Sequence, residues 1–180
     1  MAGRWLSTAS LRQCLPDRVS LAGMAAITRR QKVADKCWGL EVDWLAVDED
    51  GHVSLMSTAG RGPIPARVLD RLTAVNRSLS AINDVPLRGE AEWLLSTRDV
   101  FDVWVPWLRR GLFAFDWAVN DYSIIGRPHN PAMIDEIPVA TVAELARLAS
   151  FTVSFEQAKD LQLTDAAVEW YWPRHPADRS

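Results

Sequence analysis

Residues 41–65 read EVDWLAVDEDGHVSLMSTAGRGPIP, and this stretch decides the fold class. Two apolar runs flank Asp50-Gly51, a pair typical of tight hairpin turns because glycine accepts a positive φ. The first run is apolar on both faces, which indicates a central or covered strand. A two-residue turn would place Ala46 opposite Leu55. The stretch therefore predicts an antiparallel hairpin, which ends at GRGPIP because proline cannot donate a ladder hydrogen bond.

A second hairpin is predicted from residues 112–127, where aromatic side chains alternate with smaller ones before Asn120-Asp121. A turn at that pair would place Trp117 opposite Ile124 and make one face of the hairpin an aromatic wall. The alternation of phenylalanine and valine over residues 151–155 predicts one further strand, at an edge.

Helical patterns separate these strands. Residues 65–82 carry apolar side chains at spacings of three and four, with Pro65 as the first helical residue. Residues 100–108 form a second stripe, which Pro106 should kink or divide. Thr141 and Glu144 have the spacing of a capping box. Hairpins separated by helices predict an α+β fold, a mainly antiparallel sheet built from hairpins and covered on one side by helices.

The chain has 180 residues, of which 48% are apolar and nine are tryptophan, which suits one domain with a substantial core. It contains two cysteines, Cys14 and Cys37, that match no metal spacing. Two unpaired thiols are typical of a reducing, cytoplasmic location, although a disulfide between them stays open. No apolar run approaches the roughly 20 residues that cross a bilayer, so we expect no membrane association.

Charge divides the chain into two kinds of segment. Residues 1–36 contain seven basic and two acidic side chains, whereas the remainder contains 13 basic and 21 acidic ones. We interpret residues 1–30 as a basic, poorly ordered extension, with a natural start at Met24 or a transit peptide as alternatives. Residues 31–180 would form the single α+β domain. Its acidity argues against nucleic-acid binding and favours a cationic protein partner, although such charge also simply keeps chains in solution.

The chain contains no nucleophile elbow, phosphate-binding loop or dinucleotide fingerprint. The run DEDGH resembles part of a calcium loop but lacks the bidentate glutamate that completes one. The histidines also have no metal-ligand spacing. We therefore predict no cofactor and no metal, and we name no catalytic residue.

A small hydrolase is the alternative that the carboxylates leave open. Strands could bring two of Asp43, Asp48, Asp116 and Asp121 together for acid and base catalysis, with His52 as a possible base. For Asp116, the ordinary explanation is hydrogen bonding to Arg109 or Arg127.

Candidate partner-binding residues come from the hairpin tips and the tryptophans. The acidic candidates are Asp48, Glu49 and Asp50 at the first tip and Asp121 at the second. Tryptophans concentrate at interfaces but also fill cores. We expect Trp44, Trp104 and Trp117 in the core, and we take Trp38, Trp93 and Trp172, which have polar or loop neighbours, as interface candidates.

VDWLAVDEDGHVSLMSTAGRGPIP, RRGLFAFDW and the run from Tyr122 to Pro128 together resemble a group of uncharacterised bacterial proteins. Some members of this group resemble immunity proteins of polymorphic toxin systems. The resemblance covers roughly residues 38–160 and rests on turn and core residues, so it implies a fold and assigns no site. The function it implies is a cytoplasmic protein that binds and neutralises a basic toxin; a regulatory interaction domain is a further alternative.

Overall fold

The computed structural model describes residues 21–94 and 101–179. Its α-helices are α1 (Leu21–Lys36), α2 (Ala66–Asp70), α3 (Leu72–Ser78), α4 (Phe101–Leu108) and α5 (Ala140–Ala146). Its strands are β1 (Asp43–Val47), β2 (Val53–Ser57), β3 (Ile64–Pro65), β4 (Ala91–Trp93), β5 (Phe113–Trp117), β6 (Tyr122–Pro128), β7 (Asp160–Leu161) and β8 (Trp170–Tyr171). Short 3-10 helices occupy Leu79–Asp84, Ile134–Glu136, Leu163–Asp165 and Pro176–Asp178.

The N-terminal segment is described only in part. Residues 1–20 of the expected extension, with Cys14, lie outside the described residues, and residues 21–30 belong to α1. Cys37 is a buried thiol just after this helix. Within the described ranges, no helix has both the length and the apolar character needed to span a membrane.

The main sheet has the strand order β1-β2-β5-β6-β4, and β7 also pairs with β6. All its neighbouring strands are antiparallel except β2 and β5, which are parallel. Parallel neighbours need a long crossover, and the helical segments between β2 and β5 supply it. The predicted α+β class with a mostly antiparallel sheet is confirmed.

Successive side chains of each strand enter two different cores, because they point to opposite faces of the sheet. On one face Trp44 and Phe115 pack with Val68 of α2, and on the other Leu55 packs with Trp104 of α4. Helical segments therefore cover both faces and not only one as predicted, which explains why the central strands carry apolar side chains on both faces.

The first hairpin forms, but its register differs by one residue from the predicted one. Val47 pairs with Val53, so Ala46 lies opposite Ser54 and not opposite Leu55. The Asp48 N–H donates to the His52 carbonyl, which leaves a three-residue loop that ends at Gly51 with φ +91°. A glycine in this left-handed conformation is typical of three-residue hairpin loops, and the extra residue shifts the register.

The second hairpin is also correct in outline and wrong in register. Trp117 pairs with Tyr122, and Phe115, not Trp117, lies opposite Ile124. The Ala118 N–H donates to the Asp121 carbonyl, so the turn consists of Val119 and Asn120. The predicted aromatic wall is present on its inner face, where Phe113, Phe115 and Trp117 are buried.

The helices predicted from Pro65 and from Thr141 differ in extent from those in the structure. The segment from Pro65 is divided at Arg71, whose φ of −119° and ψ of 13° separate α2 from α3, and Pro65 is the N-cap residue. The eight-residue helix α4 includes Pro106. The expected capping box does not form, because α5 begins at Ala140 and Glu144 accepts a hydrogen bond from Arg71.

The predicted strand at residues 151–155 is replaced by isolated bridges. Phe151 forms an isolated bridge with Ala166 and donates its N–H to the Val47 carbonyl, and the Phe155 N–H donates to the Asp48 carboxylate at 2.7 Å. A side chain thus takes the donor that a strand would have used, although both phenylalanines are buried as their apolar pattern predicts.

Candidate functional site

A row of polar residues crosses the sheet at one level near one of its ends. The strand registers place Asp43, Ser57, Asp116, Ser123 and Asp160 side by side on β1, β2, β5, β6 and β7. Residues in register on adjacent strands, about 4.8 Å apart, point to the same face of a sheet. We call these five residues the acidic row.

Two further carboxylates extend the acidic row toward the end of the sheet. The Ser57 hydroxyl donates to Glu41 Oε1 at 2.9 Å. The Ser123 hydroxyl lies 2.7 Å from Asp160 Oδ1 and 3.2 Å from Asp121 Oδ1 and can donate to either. The two serines therefore link carboxylates that would otherwise only repel one another.

The carboxylates of the acidic row and its extension have no basic partner within residues 21–94 and 101–179. Elsewhere in the same ranges acids do pair with arginine, as Asp35 does with Arg174 at 2.7 Å. The expected partners of Asp116 are engaged elsewhere: Arg109 pairs with Glu90, and Arg127 donates to the Ala158 carbonyl. This end of the sheet is therefore negatively charged and not internally neutralised by described residues.

Burial raises the pKa of Asp43 to about 6, and the nearby negative charge of Glu41 adds to the rise, whereas a hydrogen bond from Ser57 opposes it. Oδ1 of Asp43 is buried and accepts no hydrogen bond from described residues. Its ionised form is therefore poorly solvated.

Asp116 has the same kind of environment. Burial raises its pKa to about 6, and the charges of Glu41 and Asp43 contribute in the same direction. The Trp117 N–H donates to Asp116 Oδ1 at 3.0 Å and opposes this rise. At neutral pH both carboxylates are thus ionised, although their surroundings favour the protonated form.

Exposed apolar side chains lie at the same end of the sheet. Leu40 precedes Glu41 and is 59% exposed, and Val119, two residues before Asp121, is 83% exposed at the hairpin tip. Trp172 is 45% exposed, and its ring lies edge-on to Trp117 at 5.3 Å. Apolar anchors beside charged groups are typical of protein interfaces.

The structure divides the predicted partner-binding residues among three places. Asp121 adjoins the acidic row. Trp38 lies near this end of the sheet, half-buried between His175, with ring centroids 5.3 Å apart, and Arg61. Glu49 and Asp50 are exposed at the tip of the first hairpin, at the opposite end of β1, and Trp93 packs partly buried against the second core from β4.

Asp48 has an internal structural role. Its side chain is fully buried, and its Oδ1 accepts hydrogen bonds from the backbone N–H groups of Asp50 and His52. Its Oδ2 accepts from the Phe155 N–H and lies 3.1 Å from His52 Nδ1. A carboxylate offers about four lone-pair positions, and these contacts use all of them. Asp48 therefore fastens the first hairpin to the loop that contains Phe155.

The hydrogen bonds of Asp48 also bear on whether this hairpin could bind a metal ion. The ligand atoms of Asp48, Asp50 and His52 lie within 4.8 Å of one another, close enough to hold an ion. The two Asp48 oxygens, however, already accept hydrogen bonds from within the chain. Metal ligation would require breaking them, so the contacts favour a structural cluster over a metal centre.

Sequence reasoning singled out Asp43 and Asp116 but not their neighbours Glu41, Ser57 and Asp160. The alternation within β1 and β5 indicates which face each aspartate occupies. Nothing in the local sequence indicates that β2 lies between them, because the parallel pairing of β2 with β5 joins residues from different hairpins. That pairing is what assembles the acidic row.

Comparison with protein-family models, with curated proteins and with solved structures found no match to this chain. The resemblance of residues 38–160 to immunity proteins therefore stays a prediction from the sequence.

Proposed function

We propose that this protein is a binding module that engages a basic partner protein through the acidic row and the apolar side chains beside it. The observation that carries the proposal is the state of Asp43 and Asp116, two partly buried carboxylates with raised pKa values and no basic partner among the described residues. Each pKa unit corresponds to about 1.4 kcal/mol by which the surroundings disfavour the ionised form.

Such groups weaken the fold, so a binding role accounts for them better than a structural one. Perturbed carboxylates cluster at functional sites for this reason. An arginine or lysine that a partner places beside these carboxylates would offset the poor solvation of both aspartates. Leu40, Val119 and Trp172 would add the apolar contacts that give an interface much of its affinity.

The finer proposal is an immunity protein of the bacterial cytoplasm, whose partner is a toxin with a basic active surface. Support comes from the resemblance of residues 38–160 and from the uncompensated negative charge at the end of the sheet. Covering the toxin's surface would block access of its substrate. A regulatory domain with another basic partner would use the same surface.

The test is calorimetry at low salt, in which the protein products of the genes adjacent to this chain's gene, and other basic effector proteins, are titrated into the wild-type protein. We expect the double variant Asp43→Asn/Asp116→Asn to bind at least about tenfold more weakly. The matched control, Glu49→Gln/Asp50→Asn, removes the same charge at the exposed opposite tip and should bind as the wild type does. Equal losses in both variants, or no binding of the wild type to any basic effector tested, would refute the proposal.

A carboxylate-dependent hydrolase is the second candidate, because a pKa near 6 suits a general acid at neutral pH. The second candidate would be established instead if the wild type hydrolysed glycosides or esters and Asp116→Asn abolished that activity. The rate should then depend on a group with a pKa near 6.

A further inference from the structure

A basic cavity lies on another part of the molecule, where α1 packs beside the junction of α2 and α3. Its volume is about 480 Å³, within the range of roughly 300–1,000 Å³ that small-molecule sites occupy. The Arg30 guanidinium holds the two sides together through a bidentate contact with Asp70, at 3.0 and 2.7 Å. The cavity is thus formed by helices that are fixed to one another.

Arginine side chains dominate the charge of this cavity. Arg29, Arg71 and Arg77 line it together with one acid, Asp70, whose two oxygens already contact Arg30. Arg71 pairs with Glu144 at 2.8 Å. Arg29 and Arg77 form no salt bridge and no side-chain hydrogen bond within the described ranges, although the charge of Arg29 also acts on Asp70. Both guanidinium groups therefore keep their hydrogen-bond donors available.

Arginines without a hydrogen-bond partner are unusual within the described ranges. Most arginines of the described ranges have a carboxylate or a backbone carbonyl as partner: Arg30, Arg71, Arg88, Arg109, Arg110, Arg127, Arg147, Arg174 and Arg179. Arg61 lies over the Trp38 ring. Of the remaining three, Arg67 is exposed on α2, and the other two, Arg29 and Arg77, line the same cavity.

The rest of the lining is apolar or carries a hydroxyl group. Val33, Leu69 and Leu72 contribute aliphatic surface, and Thr73 adds a hydroxyl. A second cavity of about 530 Å³ shares Arg29 and Val33 and adds Lys32 and Lys36, with no acidic residue in its lining. The positive potential therefore extends along one side of α1.

We propose that this cavity binds a small organic phosphate, with the phosphate between Arg29 and Arg77 and an apolar body against Val33, Leu69 and Leu72. Guanidinium groups bind phosphate oxygens in a bidentate manner, which lysine cannot do. The proposal goes beyond the partner-binding function, because the cavity and the acidic row share no residue.

Phenyl phosphate is a suitable probe because it combines a phosphate with an apolar ring. Titration at low salt, followed by amide chemical shifts, should show saturable changes confined to α1, α2 and α3. Inorganic phosphate and phenol, which each supply one half of the probe, should bind at least about tenfold more weakly. Inorganic phosphate that binds as tightly as phenyl phosphate would refute the apolar part of the site.

The double variant Arg29→Gln/Arg77→Gln should reduce the affinity for phenyl phosphate at least about tenfold. Both side chains are exposed and have no side-chain partner among the described residues, so thermal unfolding without ligand should be unchanged. Arg67→Gln, which removes a nearby exposed arginine outside the cavity, is the matched control and should bind as the wild type does. Absence of saturable binding by the wild type, or unchanged binding by the double variant, would overturn the proposal.

Discussion

At the scale of single residues, Asp116 links the proposed function to stability. Its pKa of about 6 in the folded protein exceeds the ordinary 3.8, so the folded state binds a proton more tightly than the unfolded state. Stability should therefore fall as pH rises from about 4 to about 6, and the full penalty is present at neutral pH. Asp35 acts in the opposite direction only at lower pH, because Arg174 lowers its pKa to about 2.

Replacing Asp116 with asparagine removes the ionised form and should stabilise the folded protein. We expect a gain of about 1 kcal/mol in the free energy of unfolding at about pH 7.5, which shrinks toward zero at about pH 4. Urea denaturation at both pH values measures it, with Asp50→Asn at the exposed hairpin tip as control. A loss of stability at about pH 7.5 in the Asp116 variant alone would contradict the assigned environment.

Replacing Asp48, in contrast, should destabilise the folded protein. Asp48→Ala leaves the buried N–H of Phe155 and the N–H of His52 without their acceptor, and unmet charge-assisted bonds of this kind cost about 2–4 kcal/mol. The exposed neighbour Asp50 keeps its own bonds through the backbone, so Asp50→Ala should change the unfolding free energy by less than about 0.5 kcal/mol. If urea denaturation gave similar losses of unfolding free energy for the two variants, the Asp48 contacts would not fasten the hairpin.

At the scale of secondary structure, local patterns identified which segments form strands, and the turns decided how the strands align. Alternation located β1, β2, β5 and β6, and the glycine at position 51 marked the first turn. The loop length could not be predicted, because Asp48 closes the turn by accepting two backbone N–H groups with its side chain. The strand expected at residues 151–155 failed for a related reason, since the same carboxylate captures the Phe155 N–H.

The first hairpin provides a test of this explanation at position 51. The φ of +91° is strained for a side chain with a Cβ, and alanine there would also place its Cβ 3.2 Å from Met133 Cε. We expect Gly51→Ala to cost about 1–2 kcal/mol of unfolding free energy. Gly51→Asn should cost less than alanine, because asparagine tolerates the left-handed region better. An asparagine variant that is the less stable of the two would contradict a loop controlled by backbone conformation.

At the scale of the whole molecule, the net charge of −3 conceals two separate regions of opposite sign. The acidic row closes one end of the sheet, and the basic cavity lies between α1 and the α2–α3 junction. Composition alone predicted an acidic body with a basic N-terminal portion. It could not place the charges, because both regions are assembled by contacts between segments far apart in sequence.

This arrangement predicts that binding of a basic partner at the acidic row releases protons. Near pH 6 the carboxylates of Asp43 and Asp116 are each about half protonated, and a cation placed beside them lowers both pKa values, so protons must leave as the complex forms. Affinity should accordingly fall as pH drops from about 7.5 to about 5.5. Calorimetry in two buffers with different ionisation enthalpies measures the release, which should be present near pH 6 and close to zero at about pH 8. The Asp43→Asn/Asp116→Asn variant should release none at either pH, whereas equal proton release by variant and wild type would place the partner away from the acidic row.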